Sequence, residues 1–197
     1  MKPILYFSCA VLVAVMIISV FPVSGEETVY DNTVRLHVIA NSDSDEDQAI
    51  KLKVRDAILE SVGKETYTDY DSAYNGISGL IPEIETTANK TLADLGQTYH
   101  AEVMLGEEYY PVREYDGYTL PEGKYTSLRV ILGEGNGHNW WCVLFPPLCT
   151  QAAEKQDFIS AGISSEGYEM IKGAERPKYK VRFRILEILS GIIGINY

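Results

Sequence analysis

Histidines and carboxylates are the side chains in this sequence best suited to acid–base chemistry. His37 precedes Asp43 and Asp45 by a few residues, so it could act as a general base with a supporting carboxylate. His100 and His138 are distant in sequence, and no serine-nucleophile elbow, His-Glu-x-x-His motif or phosphate-binding glycine loop occurs. A single histidine in a strand usually packs in a core or lies on a surface. We therefore predict that the chain is not an enzyme, with a hydrolase centred on His37 as the alternative.

Three aspartates, Asp43, Asp45 and Asp47, alternate as the first ligands of an EF-hand calcium loop do. Gln48, however, stands where that loop requires glycine, and Val54 stands where it requires a bidentate glutamate. The aspartates instead suit the first turn of a helix, whose dipole favours negative charge. The sequence therefore predicts no metal and no other cofactor.

The amino terminus has the composition of an export signal. Lys2 precedes an apolar stretch, residues 4–21, and small residues follow at the positions that a signal peptidase recognises, Val23 and Gly25. Residues 1–25 are therefore predicted to be a signal peptide, so that the mature protein begins at Glu26. Because about 18 apolar residues can also span a bilayer, an uncleaved membrane anchor is the alternative.

The remaining residues, 26–197, are enough for one extracytoplasmic domain with a sizeable core. The chain has 28 acidic and 17 basic residues, and its formal net charge is −11. A protein this acidic is not expected to bind nucleic acid, and anionic membrane surfaces repel it. Basic residues are concentrated only near the carboxyl terminus, at Lys172, Arg176, Lys178, Lys180, Arg182 and Arg184.

Two of the three cysteines lie in the predicted exported domain. Cys142 and Cys149 flank Pro146-Pro147, whose turn could bring the sulfur atoms together, and an exported chain meets an oxidising environment. A Cys142–Cys149 disulfide is predicted, with two buried thiols as the alternative. Together with the neighbouring His138, the pair is too small a ligand set for zinc.

The run from Asn139 to Cys149 is the most unusual local sequence. Trp140 and Trp141 are adjacent, so in a strand their side chains point to opposite faces. One can fill the core while the other anchors a partner protein, as exposed aromatic residues often do. The alternative is a core strand followed by a rigid proline loop.

Hydrophobic periodicity in the first half of the domain predicts one strand and two helices. A β-branched segment, residues 33–40, is the strand, and Ser44 is the expected N-cap of a helix over residues 45–63. A second helix is predicted over residues 71–95, with Pro82 kinking or splitting it.

Beyond residue 98 the hydrophobic period shifts to two. Four strands joined by glycine-containing turns are predicted, over residues 99–105, 109–115, 125–132 and 140–145. Their short connections indicate an antiparallel meander. Residues 150–177 are predicted to be irregular, and residues 179–193 to form a final amphipathic helix. The sequence thus predicts an α+β fold, with helices packed on one face of a mostly antiparallel sheet.

Two long segments are distinctive beyond their secondary structure. The first is Arg35-Leu36-His37-Val38-Ile39-Ala40-Asn41-Ser42-Asp43-Ser44, followed by Asp47-Gln48 and Lys51-Leu52-Lys53-Val54-Arg55-Asp56, and the second is the run from Asn139 to Cys149. They resemble the opening and the second signature of the stage II sporulation protein R family. Arg182-Phe183 with Glu187 is similar to the carboxyl-terminal helix of that family, so the resemblance covers nearly all of the domain.

The resemblance implies a secreted signalling protein of endospore formation. Such a protein is made in the forespore and exported into the space between the forespore and mother-cell membranes. There it is required to activate a membrane-embedded aspartic protease of the mother cell, which processes the precursor of the early mother-cell sigma factor. We therefore expect this localisation and this partner for the chain.

The candidate partner-binding residues are polar and aromatic side chains that core packing does not explain. They lie around the first strand-to-helix turn and in the tryptophan pair: Arg35, His37, Asn41, Ser42, Asp43, Trp140 and Trp141. The residues near the turn either organise it or contact the protease. A cell-wall-binding module, in which the tryptophans and the 14 tyrosines stack on sugars, is a further alternative.

The predicted carboxyl-terminal helix has two interpretations. Its apolar face follows a basic stretch, so the helix could lie on a membrane surface. Only its first turn is basic, however, Glu187 lies in its middle, and the domain as a whole is acidic. Packing of the apolar face against the sheet is therefore the preferred interpretation.

Overall fold

The structure, a computed structural model, describes residues 2–18, 25–115, 117–148 and 154–172. Its helices are α1 (Lys2–Ile18), α2 (Glu26–Asp31), α3 (Asp45–Val62), α4 (Tyr70–Asp94), α5 (Lys155–Ser160) and α6 (Ser165–Lys172). Its strands are β1 (Val34–Ile39), β2 (Ala101–Tyr110), β3 (Arg113–Tyr115), β4 (Tyr118–Leu120), β5 (Gly123–Leu132) and β6 (Asn139–Phe145).

Four strands form one sheet in the order β2-β5-β1-β6, and β3 and β4 form a separate hairpin. β1 runs parallel to β5, whereas the β1–β6 and β2–β5 pairs are antiparallel. Together with the long helices on one face, this mostly antiparallel sheet confirms the predicted α+β class.

The predicted meander is wrong, because β1 lies between β5 and β6. Five of the six residues of β1 are buried, which suits a central position in the sheet. The connection from β5 to β6 crosses the end of β1, where the N–H of Gly137 donates to the carbonyl of Ala40 over 2.9 Å. A side chain at Gly137 would collide with the Ser42 carbonyl. The short loop between β5 and β6 therefore predicted wrongly that these two strands are neighbours in the sheet.

The two long helices cover one face of the sheet and enclose the main apolar core. Ser44 caps α3 as predicted, since its hydroxyl accepts a hydrogen bond from the N–H of Asp47 at 3.1 Å. α4 is one continuous helix that contains Pro82, so the predicted split does not occur. Sheet residues such as Leu36 and Leu128 have no exposed surface here, and burying each such side chain contributes about 1.5–3 kcal/mol.

The other face of the sheet is partly covered by a second apolar cluster, which includes Tyr110, Tyr125 and Val143 from the sheet. Residues of α5 and α6, Phe158, Tyr168 and Ile171 among them, complete this cluster. Residues 150–177 were predicted to be irregular, and this is wrong for α5 and α6. Both helices are too short to show a clear period, and tertiary burial of their aromatic residues stabilises them.

Several predictions about the chain ends lie outside the described residues. These are the predicted cleavage region over residues 19–24 and the predicted helix over residues 179–193. Gly25 itself is described. α1 is apolar and has 17 residues. Within the described ranges, no helix meets the length and hydropathy needed to cross a bilayer. The export signal stays a prediction.

Candidate functional site

A row of side chains crosses the sheet face that lies opposite the long helices. Strand register places Met104 of β2, Arg129 of β5, His37 of β1 and Trp141 of β6 side by side. Leu36 and Val38 flank His37 in sequence and point into the helix-side core. The alternation of β1 therefore sends one set of residues to an apolar core and the other to a polar cluster.

His37 lies at the centre of this polar cluster, and its ring is fully engaged. Nδ1 lies 2.9 Å from Oε1 of Glu108, and Nε2 lies 2.9 Å from Oδ1 of Asn139. The ring stacks on Trp141 with 3.7 Å between centroids and 15° between planes. Only 4% of His37 is exposed. No substrate can reach either ring nitrogen without displacing one of these partners.

Glu108 is the carboxylate of the cluster, and it is shared by several donors. The hydroxyl of Ser127 donates to its Oε2 at 2.8 Å, and Nη1 of Arg129 lies 3.8 Å from its Oε1. Burial alone raises the pKa of Glu108, but hydrogen bonds from His37 and Ser127, with the charges of His37 and Arg129, outweigh it. The pKa of Glu108 therefore lies below its ordinary value. Glu108 is consequently a carboxylate anion that His37, Ser127 and Arg129 hold in place on this face of the sheet.

Arg35 lies one row further along the same face and has no exposed surface. Its guanidinium carbon lies 4.0 Å from the ring centroid of Tyr110, 4.8 Å from that of Tyr125 and 5.7 Å from that of Tyr115. Nη2 donates to the Tyr115 hydroxyl, whereas Nε and Nη1 have no hydrogen-bond partner among the described residues. The charge is thus stabilised mainly by aromatic faces. Arg35 cannot present its charge to a partner protein in this conformation.

The turn between β1 and α3 is organised by a second carboxylate, Asp47, which is buried. It accepts hydrogen bonds from the Asn41 amide at 2.9 Å, the Ser42 hydroxyl, and the Tyr99 hydroxyl at 2.7 Å. Burial raises the pKa of Asp47, but these donors and Ser44 outweigh burial, so that pKa lies below its ordinary value. The hydrogen bonds of Asn41 and Ser42 therefore organise the turn, which is one of the two predicted roles, and contact with the protease stays a prediction.

Asp43 fastens the same turn to the loop before β6. Its Oδ1 accepts from the backbone N–H of His138 at 2.7 Å and lies 2.6 Å from Nδ1 of that histidine. Lys51 strengthens this junction, since its buried ammonium donates to the His138 carbonyl at 2.8 Å and to Gln48 at 2.6 Å. Asp43 is 57% exposed at its side chain. It is the most accessible of the predicted partner-binding residues in the turn.

Trp140 and Trp141 lie on opposite faces of β6, as predicted, and each is half-buried. Trp140 packs at the helix-side core with the guanidinium of Arg55 4.7 Å from its ring centroid. Trp141 packs in the second cluster, with Arg113 5.1 Å from its ring centroid. The two indoles therefore cannot form one flat platform for sugar stacking.

The predicted general base is not assembled with the carboxylates named for it. Asp43 contacts His138 instead, and Asp45 is an exposed residue in the first turn of α3. A cavity of about 490 Å³ between the end of α3 and β6 is lined by Tyr67, Phe145 and neighbouring residues and contains no histidine. In the described part of the chain, no three His, Cys, Asp or Glu residues form a set that could hold a metal ion.

Cys142 is buried in β6, and Cys149 lies outside the described residues. Pairing between the two stays a prediction. The third cysteine, Cys9, is exposed on α1.

The family model described as Stage II sporulation protein R matches residues 30–155. The chain belongs to this family. The match includes β1, the turn around Asp47, β2, β5 and β6, so it covers every residue of the polar cluster. Membership gives the chain a role in sporulation.

Stage II sporulation protein R of Bacillus subtilis (strain 168) is a relative with 37% identity over 121 residues. The alignment covers 60% of this chain and 54% of the relative, so the chain matches only about half of that protein. No solved structure matches.

The sequence did not reveal the residues that contact His37 and Asp47 in this site. Glu108 and Asn139 contact His37, Ser127 donates to Glu108, and Tyr99 completes the Asp47 cluster. The available signal was a set of polar residues at alternating positions of predicted strands, such as Ser127 between Tyr125 and Arg129 in β5. That alternation shows that these residues share a face. It does not show which residue of another strand lies opposite.

Proposed function

We propose that the chain is a non-enzymatic signalling protein of endospore formation. It is exported from the forespore and activates a membrane-embedded aspartic protease of the mother cell, which then processes the precursor of the early mother-cell sigma factor. Family membership supports the sporulation role. The protease partner and the location between the two membranes are the finer parts of this proposal.

One observation favours a signalling role over a hydrolase, and it is the environment of His37. Both ring nitrogens are bound within the protein, the ring is stacked under Trp141, and 4% of the residue is exposed. A general base must lie within hydrogen-bond reach of the proton that it abstracts. Both ring nitrogens of His37 are already engaged by Glu108 and Asn139. His37 therefore acts as a structural residue that joins β1, β2 and β6.

The cell-wall-binding alternative is disfavoured by the placement of the aromatic residues. Trp140 and Trp141 face different sides of the sheet, and Tyr110 and Tyr125 beside Arg35 are buried. Sugar stacking requires accessible aromatic faces on one surface. Protein contact through the surface around the β1–α3 turn and β6 requires no such platform.

The proposed function is tested by co-expressing the chain, the membrane protease and the sigma-factor precursor in a bacterium that does not sporulate. Precursor cleavage is expected only when all three are present. A protease variant that lacks its catalytic aspartate should abolish cleavage, since the chain itself supplies no catalysis. Cleavage that persists with this variant would support the hydrolase instead, and no cleavage with all three intact proteins would contradict activation.

Export and cysteine pairing belong to the same proposal. Amino-terminal sequencing of the exported protein should begin at or near Glu26, and a sequence that begins at Met1 would favour the membrane anchor. Peptide mapping without reduction should recover Cys142 and Cys149 in one linked fragment. Two separate free thiols would contradict the predicted disulfide.

A further inference from the structure

β2 forms one edge of the sheet. It is ten residues long and pairs with β5 from Ala101 to Tyr110 without a shift in register. Among the residues that the structure describes, no strand pairs with its other side. In the described part of the chain, the outer side of β2 is therefore a row of backbone groups with no strand opposite.

Two hydrogen-bond patterns show which residues of β2 face this open side. The N–H of Gly133 donates to the His100 carbonyl at 2.9 Å, so His100 faces β5. The next residue faces away, because the N–H of Ala101 donates to Oδ1 of Asn89 at 2.9 Å and its carbonyl accepts from Nδ2 of Asn89 at 3.3 Å. Residues of an antiparallel pair alternate in this respect. Since the register is unbroken, Val103, Leu105 and Glu107 direct their N–H and C=O groups outward.

The Asn89 amide occupies the position that the next strand would take at Ala101. It imitates a peptide group there and so satisfies the first outward-facing residue of the edge. No described side chain does the same for Val103, Leu105 or Glu107. With respect to the residues that the structure describes, the open part of the edge is thus a segment of about three outward-facing residues, long enough for an added strand of ordinary length.

A hollow lies beside this segment on the face opposite the long helices. A Cβ atom built at Gly106 would meet no atom within 4 Å. The hollow has a volume of about 80 Å³ and is bounded by Met104, Ser127 and Arg129. One water needs only roughly 10–15 Å³ of such space. A side chain from a strand added at the edge can therefore enter the sheet face at Gly106.

The charge of the edge indicates the kind of strand that it accepts. β2 has neither proline nor lysine, two devices that commonly keep edge strands apart. Its charged residues are all acidic, namely Glu102, Glu107 and Glu108, and the whole chain has a net charge of −11. Two copies of β2 would repel each other, because like charges across a strand pair are destabilising. A basic segment of a different protein is complementary.

We propose that the outer edge of β2 accepts an extended, basic segment of the partner protein, which adds to the sheet as a fifth strand beside Val103, Leu105 and Glu107. The segment inserts a side chain into the hollow at Gly106. This proposal rests on the proposed function, since the partner is the protease that the chain activates. Strand addition provides affinity through backbone hydrogen bonds, while the hollow and the acidic residues provide specificity.

Amide exchange in the exported protein alone tests the open edge. The outward amides of Val103, Leu105 and Glu107 should exchange at least about a hundredfold faster than the inward amides of Met104, Gly106 and Glu108, because only the latter are bonded to β5. Individual rates can be measured by NMR. Equal protection of both sets would mean that the chain itself already covers the edge, which would overturn the proposal.

The partner is tested with two substitutions at one exposed position. Glu107→Pro removes an outward N–H without breaking a bond to β5, whereas Glu107→Thr removes the same charge but keeps the N–H. In the co-expression assay, we expect Glu107→Pro to lower precursor cleavage and co-purification with the protease about tenfold relative to Glu107→Thr. The amide-exchange pattern of β1 and β5 shows whether both variants are folded.

The outcomes separate this proposal from the function on which it rests. If the wild-type chain triggers cleavage and folded Glu107→Pro does so as well as Glu107→Thr, strand addition at β2 is wrong while the proposed function stands. If the wild-type chain itself triggers no cleavage, the proposed function fails and the partner named for this edge fails with it.

Discussion

Arg35 and Leu36 are neighbours in β1 and neither has any exposed surface, yet they lie on opposite faces of the sheet and different interactions hold them. Leu36 packs in an apolar core between the sheet and the long helices. Arg35 lies among three tyrosine rings, close to the cluster in which Glu108 binds His37 and Ser127. The helix side depends on burial of apolar surface, whereas the opposite side combines a second apolar cluster with buried hydrogen bonds and charge.

This difference indicates how each face contributes to the fold. Apolar burial is insensitive to pH and tolerates little loss of volume. A buried charge contributes less net stability, because desolvation offsets much of its attraction to its surroundings. The helix side should therefore supply most of the stability. The polar side should fix the relative positions of β1, β2 and β6.

The largest expected effect comes from the apolar face. Leu36→Ala removes a fully buried side chain, and we expect it to lower the free energy of unfolding by about 2–5 kcal/mol. Urea denaturation followed by circular dichroism measures this change. A loss below about 1 kcal/mol would show that this face is less tightly packed than the structure has it.

The next effect comes from the turn between β1 and α3. Asp47→Ala leaves the donors of Asn41, Ser42 and Tyr99 without their acceptor, which should cost roughly 2–3 kcal/mol. Asp45→Ala is the matched control, since Asp45 is an exposed residue in the same helical turn and should cost about 0.5 kcal/mol through the helix dipole alone. Equal losses in both variants by urea denaturation would contradict the Asp47 cluster.

A smaller effect should distinguish the faces by pH. The pKa of folded Glu108 lies below its ordinary value of 4.5, so its carboxylate stabilises the fold above that pH. The stabilisation is lost as the pH falls through 4.5 toward the folded pKa. Glu108→Gln should therefore reduce the acid-dependent fall in melting temperature, whereas Leu36→Ala should lower the melting temperature at every pH. An unchanged acid profile in Glu108→Gln would show that the cluster is not linked to folding.

The smallest expected change is at Arg35. Arg35→Met keeps much of the buried volume and removes a charge whose Nε and Nη1 lack partners among the described residues. Lost attraction to the tyrosines and relief of desolvation should nearly cancel, so stability should change by less than about 1 kcal/mol. A loss of about 3 kcal/mol or more in urea denaturation would show that the charge is well compensated.

The structure on the helix side of the sheet was largely predictable from sequence, because the caps and hydrophobic periods that indicate it are local. Ser44, the first turn of α3 and the period of α4 lie within short windows, and the structure has them as expected. Strand order was not predictable, since nothing in the Gly133–Gly137 loop shows that it crosses β1. The short helices α5 and α6 were missed because their stability comes from distant aromatic contacts.

The polar side escaped prediction for a different reason. His37 was recognised as a candidate, but its partner Glu108 is 71 residues away and Asn139 is 102 residues away. Asp47 was interpreted as a charge at a helix start, whereas Tyr99, 52 residues away, makes it part of a buried cluster. Residue spacing identifies partners only within one element. Partners on different strands require the register of the sheet.

The role of His37 is the central claim, and one measurement tests it most directly. His37→Gln is assayed for precursor cleavage in the co-expression system, with the amount of exported, folded protein measured in parallel. A structural histidine predicts cleavage within about threefold of wild type once folded protein is equalised, since the removal of a general base costs about 10²–10⁴-fold. A loss of about a hundredfold or more in a variant that exports and melts like the wild type would contradict the structural role, and His37 would then act in catalysis or in partner contact.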